Sequence, residues 1–213
     1  MKRLLLVLAL VCLTTAAFAF DIGAGVSGSY YMSSLKGQSS GIPTEVLITG
    51  IPFNFMAFVD AGYLQFNAGY RMVDGYHMKG IVNGSVVAEA DQDAKLSYVS
   101  LAGYGKFPIE LGPIVLFPMV GIEYNLAVAG TVAGTKLSSS DLKDLNEFWI
   151  KAGVGADIPV SPQFYIRPEL MVGYKLLSKP ENDEVASVKA GGATDVSLLD
   201  LSFELAVLFG VKL

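Results

Sequence analysis

The chain has 213 residues, of which 16% are Asp, Glu, Lys or Arg and 52% are hydrophobic, against about 25% charged in ordinary soluble domains. A net charge of −5 with no basic stripe argues against nucleic acid as a partner, because phosphate contacts need grouped Lys and Arg. Beyond the first twenty residues no run of 18 apolar residues occurs, which excludes spanning helices; the apolarity is spread thinly over many short segments.

The chain begins MKRLLLVLALVCLTTAAFAF. Lys2 and Arg3 form a positive start, Leu4 to Leu13 an apolar stretch, and Ala17-Phe18-Ala19 a small-residue cleavage site. Residues 1–19 therefore read as a secretory signal, and residues 20–213 as a single domain. Cys12, the one cysteine, leaves with the signal, so disulfides and thiolate metal sites are not expected. Removing Lys2 and Arg3 leaves 13 basic against 20 acidic residues, a net charge of −7.

Eight stretches of alternating polarity follow. Phe20 to Met32 sets Ile22, Ala24, Val26 and Tyr30 against Asp21, Gly23, Gly25, Ser27 and Ser29. Thr49 to Asp60 carries Ile51, Phe53, Phe55, Ala57 and Val59 on one face. Tyr63 to Met72 opposes Leu64, Phe66, Ala68 and Tyr70 to Gln65, Asn67, Gly69 and Arg71. Lys95 to Phe107 has an ambiguous phase. Ile114 to Leu126 opposes Val120, Ile122 and Tyr124 to Gly121, Glu123 and Asn125. Glu147 to Ile158 sets Phe148, Ile150, Ala152 and Val154 against Lys151, Gly153, Gly155 and Asp157. Phe164 to Leu176 sets Ile166, Leu170, Val172 and Tyr174 against Tyr165, Arg167, Glu169 and Lys175. The eighth, Leu201 to Leu213, repeats the pattern through Phe203, Leu205, Val207, Phe209 and Val211. Pro52, Pro118 and Pro168 fall inside these stretches. Each lacks a ladder donor, so bulges or shifted strand ends are expected there.

The connections alternate in length. Ala61-Gly62, Pro108 to Pro113 and Pro159 to Gln163 have turn chemistry. The other four are long and rich in Gly, Ser, Lys and Asp, centred on LKGQSSGIPTE, DGYHMKGIVNGSVVAEADQD, AGTKLSSSDLKDLN and SKPENDEVASVKAGGATD. Within the third, Asp141 to Trp149 after Ser138-Ser139-Ser140 reads as a short capped helix. Tyr30, Tyr70, Tyr124, Phe148 and Tyr174 lie on apolar faces near the long-loop ends. Phe20, Phe107 and Phe164 lie near the turn ends. Two aromatic belts bounding an apolar band are the pattern of a membrane girdle.

These features predict an all-β fold: an eight-stranded antiparallel up-and-down transmembrane β-barrel with four long extracellular loops and three short periplasmic turns. The chain resembles the small eight-stranded outer-membrane barrels of diderm bacteria, the OmpA, OmpX and OmpW kind. The resemblance covers nearly all of residues 20–213 by pattern, and LAVLFGVKL resembles the terminal strand that the barrel-assembly machinery reads in that family. Leu213 stands where the family usually carries an aromatic residue. The resemblance implies an outer-membrane location with periplasmic termini, surrounding lipid, the assembly machinery as a partner during insertion, and an extracellular ligand at the long loops.

Eight strands leave a lumen just wide enough to be filled by side chains. The alternation sends Arg71, Glu123, Lys151, Asp157, Arg167, Glu169, Glu204 and Lys212 inward. Charges of both signs in a narrow, low-dielectric tube must be paired, which predicts an ionic plug in place of an open pore. Glu123, Asp157, Glu169 and Glu204 could serve as an acid/base pair, but ion pairing with Arg71, Lys151 and Arg167 is the favoured reading, and no enzyme activity or cofactor is expected. His77, the one histidine, reads as a loop residue. Asp91, Asp93, Glu181, Asp183 and Glu184 lack a regular calcium-ligand spacing. The glycines of GAGVSG, Gly23 to Gly28, fit small inward positions of a strand better than a phosphate loop, which would need a following helix. Function is thereby expected at the surface loops, by adhesion or ligand interaction, or as structural support of the membrane. The alternatives are a narrow OmpW-like channel for small hydrophobic solutes and a secreted lipocalin-like barrel with inverted faces.

Overall fold

A computed structural model describes residues 20–176, 179–190 and 192–213, with 179–184 described through the backbone alone. Residues 1–19, read above as a signal, lie outside the described residues. The described elements are β1 (Asp21–Ser39), β2 (Ile42–Gly50), β3 (Phe53–Asp60), β4 (Leu64–Val82), β5 (Ser85–Lys106), β6 (Ile109–Leu111), β7 (Ile114–Val132), β8 (Thr135–Lys136), α1 (Ser139–Asp144), β9 (Glu147–Pro159), β10 (Phe164–Leu176), α2 (Lys179–Ala190) and β11 (Thr194–Lys212).

Eight staves build the wall, with β2 and β3 forming one stave interrupted at Ile51-Pro52. Each stave pairs antiparallel with its neighbour in the chain. β11 returns to β1 from Asp21↔Lys212 to Gln38↔Thr194, closing the ring. Closure of this kind pairs the backbone without leaving an edge in the wall.

Alternation decides what each face carries. In β3, Phe53, Phe55, Ala57 and Val59 are exposed while Asn54, Met56, Phe58 and Asp60 are buried. β10 repeats this with Phe164, Ile166, Leu170 and Val172 outward and Tyr165, Arg167, Glu169 and Met171 inward. The phase of the fourth stave, open from sequence, puts Leu96, Tyr98, Ser100, Tyr104 and Lys106 inside. The barrel thus has an apolar exterior and a polar, packed interior.

The staves differ in length. β9 and β10 have 13 residues, whereas β1, β4, β7 and β11 have 19 and β5 has 22. A tilted strand crosses a bilayer in about 9–11 residues, so one side of the wall rises well above the rest. Two of the four long connections are therefore not irregular loops. LKGQSSGIPTE is the end of the β1–β2 hairpin, and DGYHMKGIVNGSVVAEADQD is the end of the β4–β5 hairpin. Their turns, Ser40-Gly41 and Asn83-Gly84, have positive φ at both residues (52° and 78°, 49° and 77°). That geometry matches the twist of paired strands, and Asn-Gly is its strongest sequence signal. The third connection carries the small β7–β8 hairpin and α1. The helix covers Ser139–Asp144 behind a Ser138 capping box, shorter than the stretch read from sequence. Phe148 and Trp149 belong to β9 instead, because their alternation continues that strand. The fourth connection contains α2.

The three prolines act differently from one another. Pro52 divides β2 from β3, and its carbonyl accepts the Ser29 N–H at 2.9 Å. Pro118 sits between the β5 and β6 ladders on β7, where its carbonyl accepts from Phe107 N–H at 3.1 Å. At Pro168 the β9–β10 pairing lapses between Ile166↔Ile158 and Glu169↔Gly155 without changing register. Opposite Pro52 the pairing with β4 shifts by one residue, between Thr49↔His77 and Phe53↔Met72, so the extra residue lies on β4. Pro118 and Pro168 interrupt a ladder without a bulge, and the other register shifts lie at Lys36/Gln38, Asp74/Tyr76, Gly80/Ile81 and Ser97/Tyr98.

Gly23 is needed for close approach. A Cβ there would run into the Phe209 carbonyl of β11 on one side and the Phe58 ring of β3 on the other. Gly23→Val should destabilise the folded barrel by about 1–3 kcal/mol through overpacking, whereas Ala24→Val on the outward face should be nearly neutral; urea titration of refolded protein in detergent micelles measures both.

Candidate functional site: a charged core beneath an open chamber

Inward alternation brings ionised side chains from seven staves into one column. At the short-turn end, Arg167 from β10 is fully buried and holds Asp157 through two contacts, Nε–Oδ1 at 2.6 Å and Nη2–Oδ2 at 2.9 Å. Its Nη2 lies 2.6 Å from Asp60 Oδ2, and its Nη1 donates to Gln65 Oε1 at 2.8 Å. Gln65 in turn donates to Glu169 Oε1 at 2.9 Å. Lys106 also pairs with Asp60. The rings of Phe58, Phe117 and Tyr165 stand 4.8, 5.0 and 5.1 Å from the Arg167 guanidinium carbon. A planar, weakly hydrated cation is suited to such a ring-lined position.

Midway along the axis, Lys151 from β9 bridges Glu123 at 2.6 Å and Glu204 at 2.5 Å. Asn125 donates to Glu123 at 3.1 Å and to Glu147 at 3.1 Å, linking this layer to the next. There Arg71 pairs with Glu147 at 2.9 Å, and Trp149 Nε1 donates to the same carboxylate at 2.9 Å. Above them, Lys175 lies 2.7 Å from Asp200. Each of these charges has an opposite charge or a hydrogen-bond donor beside it, as burial demands.

Of the residues singled out from sequence, Arg71, Glu123, Lys151, Arg167, Glu169 and Glu204 are buried in the lumen, and Asp157 is half-buried there. Lys212 is not among them. It is exposed at the rim of the short-turn end, its ammonium 6.0 Å from the Tyr165 ring, because β11 ends there. Sequence reasoning missed Asp60, Lys106, Glu147 and Asp200 as partners. Asp60 and Glu147 were visible at stave ends with inward parity, Lys106 was hidden by the unresolved phase, and Asp200 lay beyond the strand start assigned from sequence.

Among the aromatics, Tyr30, Tyr70, Tyr124, Tyr174, Phe20, Phe107 and Phe164 are exposed on the outer face, and Phe148 is half-buried. Phe164 stacks on Phe209 at 5.6 Å, and Phe53 meets Phe55 edge-on at 4.9 Å. Tyr63 and Phe209 are also exposed, Phe209 on the apolar face read from sequence but outside the two aromatic belts.

Above the charged column the barrel opens into a chamber of about 470 Å³, between the raised hairpins and α1. Leu137, Leu142 and Leu145 pack against Val73, Leu96, Tyr98 and Ala127, so the third connection forms one side of the chamber. On the raised β4–β5 hairpin, His77 contacts Asp91 through Nδ1 at 2.7 Å and Glu89 through Nε2 at 2.7 Å, with Lys79 3.3 Å from Glu89. The bond to Asp91, then that to Glu89, holds the imidazole pKa above its usual 6.5. Lys79, then His77, holds Glu89 below its usual 4.5. Among the described residues no group of three His, Cys, Asp or Glu side chains is arranged to hold a metal ion.

No protein-family model matches the chain, and no curated protein matches it in sequence. Solved structures similar to it include the following three. Neisserial surface protein A is 15% identical, with 88% of this chain and 97% of that one covered and a TM-score of 0.46. The outer membrane protein OprG from Pseudomonas aeruginosa is 13% identical, covering 92% and 96%, with a TM-score of 0.42. A major outer membrane protein from Thermus thermophilus is 12% identical, covering 87% and 99%, with a TM-score of 0.47. The barrel architecture itself rests on the closed strand pairing of this chain.

Two expectations follow from the geometry. Lys151→Met leaves Glu123 and Glu204 buried without their cation and should cost about 3–5 kcal/mol. Adding Glu123→Gln and Glu204→Gln should recover most of it; urea unfolding in micelles reads both. The His77 contribution to hairpin order is complete below pH 6.5 and lost as pH rises through the raised imidazole pKa. That of Glu89 is present above pH 4.5 and lost as pH falls through its lowered value. Amide protection factors over residues 76–92 should therefore be highest between pH 4.5 and 6.5 and fall on either side. The His77→Gln variant should lose the alkaline-side change.

Proposed function

We propose that this protein is an outer-membrane barrel of a diderm bacterium whose lumen is plugged by its ionic column and which acts at the outward-facing mouth and surface hairpins, by adhesion or ligand binding. One observation carries the reading: the large apolar side chains are outside and the charges inside, the reverse of a soluble barrel. Within hydrocarbon each unpaired backbone group costs several kcal/mol, so a closed ring is the only sheet that can sit there. The same inversion counts against a secreted lipocalin-like barrel, whose apolar side would surround a ligand.

In this reading the outward aromatics, Tyr30, Tyr70, Tyr124, Phe148 and Tyr174 at one level and Phe20, Phe107 and Phe164 at the other, sit at the two lipid interfaces as a girdle. The termini and short turns face the periplasm, and the raised hairpins face outward. The assembly machinery engages the β11 segment during insertion. Enzymatic chemistry is not part of the reading, since Glu123, Asp157, Glu169 and Glu204 are each engaged by neighbouring donors. The filled bore, with Trp149, Arg167, Tyr98, Tyr165 and Phe117 fully buried, favours a plug over the narrow-channel alternative. A conducting lumen needs a wider or singly charged lining.

Location and orientation are tested with single cysteines and a membrane-impermeant maleimide on intact cells. Lys136→Cys and Lys143→Cys should label directly, and Glu110→Cys and Gln163→Cys only after the outer membrane is permeabilised. The opposite pattern reverses the orientation, and recovery of the protein in the soluble fraction sinks the reading. In planar bilayers the purified protein should give no steady ion current; sustained current would remove the plug.

A further inference from the structure

We propose that the chamber at the barrel mouth binds small, uncharged, planar aromatic molecules of the phenol and indole class, entering from the hairpin side and stopping at a closed floor. The inference deepens the reading of the mouth as a binding surface, and rests on it only for the side of entry.

Size, lining and charge each narrow the guest. About 470 Å³ lies within the usual range of small-molecule sites, about 300–1,000 Å³. Ile48, Met78 and Leu145 supply apolar wall, and Tyr31, Tyr76 and Tyr98 supply rings. Tyr31 stands edge-on to Tyr76, 6.3 Å between centroids at 70°, and to Trp149, 6.0 Å at 80°. Rings held at such angles receive a further flat ring by offset-stacked or edge-to-face contact.

The charges at the floor are already spoken for. Glu147 is held by Arg71 and by the Trp149 indole, each at 2.9 Å, and Lys175 lies 2.7 Å from Asp200. An ionic guest would have to displace one of these partners and leave a buried charge uncompensated. Asp144, exposed at the lip, repels anions at the entrance. Neutral guests meet neither obstacle. Depth is limited as well, because Tyr31, Tyr98 and Glu147 line the bottom, and behind them Trp149, 1% exposed, and Arg71, 6% exposed, fill the bore above the ion pairs of Lys151.

Trp149 is the chain's one tryptophan and lies directly behind the lining, 6.0 Å from the Tyr31 ring and bonded to Glu147, so its fluorescence reports on the chamber. The probe is 4-bromophenol, neutral at pH 7, whose bromine quenches at short range. A probe dissolved in detergent outside the wall cannot reach an indole that faces the lumen. With purified protein in dodecyl maltoside micelles, 4-bromophenol should quench saturably, and 4-bromobenzoate, of similar shape but anionic, at least tenfold more weakly. Ala94→Leu and Leu145→Glu, which narrow or charge the chamber, should weaken bromophenol quenching by tenfold or more. Leu101→Ala on the outer wall should leave it unchanged. The proposal is overturned if bromophenol quenching is absent or does not saturate, or if 4-bromobenzoate quenches equally well. A better fit by the linear 1-bromooctane overturns the aromatic class. The probe comparison uses the unmodified chain, so it stands even where a variant fails to fold. It is also independent of location in the cell, which the maleimide pattern decides separately.

Discussion

The constraint on which everything else depends is that a backbone placed in hydrocarbon must satisfy its own hydrogen bonds. β11 closing on β1 over 19 residues meets it, since the strand that would otherwise be an edge becomes an interior one. Once the ring closes, an apolar side chain no longer needs protein cover. Leu205 and Val207 remain more than half and half exposed, respectively, on a strand whose backbone is paired on both sides. The wall can tolerate Pro118 and Pro168 for a related reason. Each falls where one neighbouring ladder is already lapsing, so the missing donor leaves little unpaired.

Closure also dictates the interior. Eight staves make a bore too narrow for bulk water and too polar in sequence for a hydrocarbon core, so ion pairs with aromatic spacers fill it. The spacers are positional. Phe58, Phe117 and Tyr165 surround Arg167, and Tyr98 and Trp149 flank Arg71 at 5.8 and 6.0 Å. Acidic side chains arrive from β3, β7, β9, β10 and β11, cations from β4, β5, β9 and β10, so each layer ties together staves far apart in the chain.

Above the column the molecule is asymmetric. β9 and β10 stop after 13 residues, while β1, β2, β4, β5 and β11 continue upward as paired sheet. A raised wall on one side and a helix-bearing connection on the other leave a hollow between them, and the apolar inner positions of that wall are what remain available to a guest. The hollow at the mouth is thus a consequence of unequal stave lengths, not of a separate domain.

The alternation of polarity, the proline- and glycine-bearing short turns, and the scarcity of charge were enough to read an all-β barrel of eight staves with its apolar face outward. Period-two patterning survives in sequence because each residue's side is set by its own parity. The sequence also marked most of the inward charges, such as Arg71, Lys151 and Arg167, by the same parity. It did not pair them, nor supply Asp60, Glu147 and Asp200 as their partners, because those contacts join residues up to a hundred positions apart. Extents were lost for a different reason. The hairpins ending at Ser40-Gly41 and Asn83-Gly84 interleave Gly, Ser, Lys and acidic residues with scattered apolar ones, without the clean alternation of the band below, so they resemble loop in composition and become strand only by pairing. The chamber was invisible to sequence altogether, since its walls come from seven staves and one connection, and a cavity is the space that packing leaves between them.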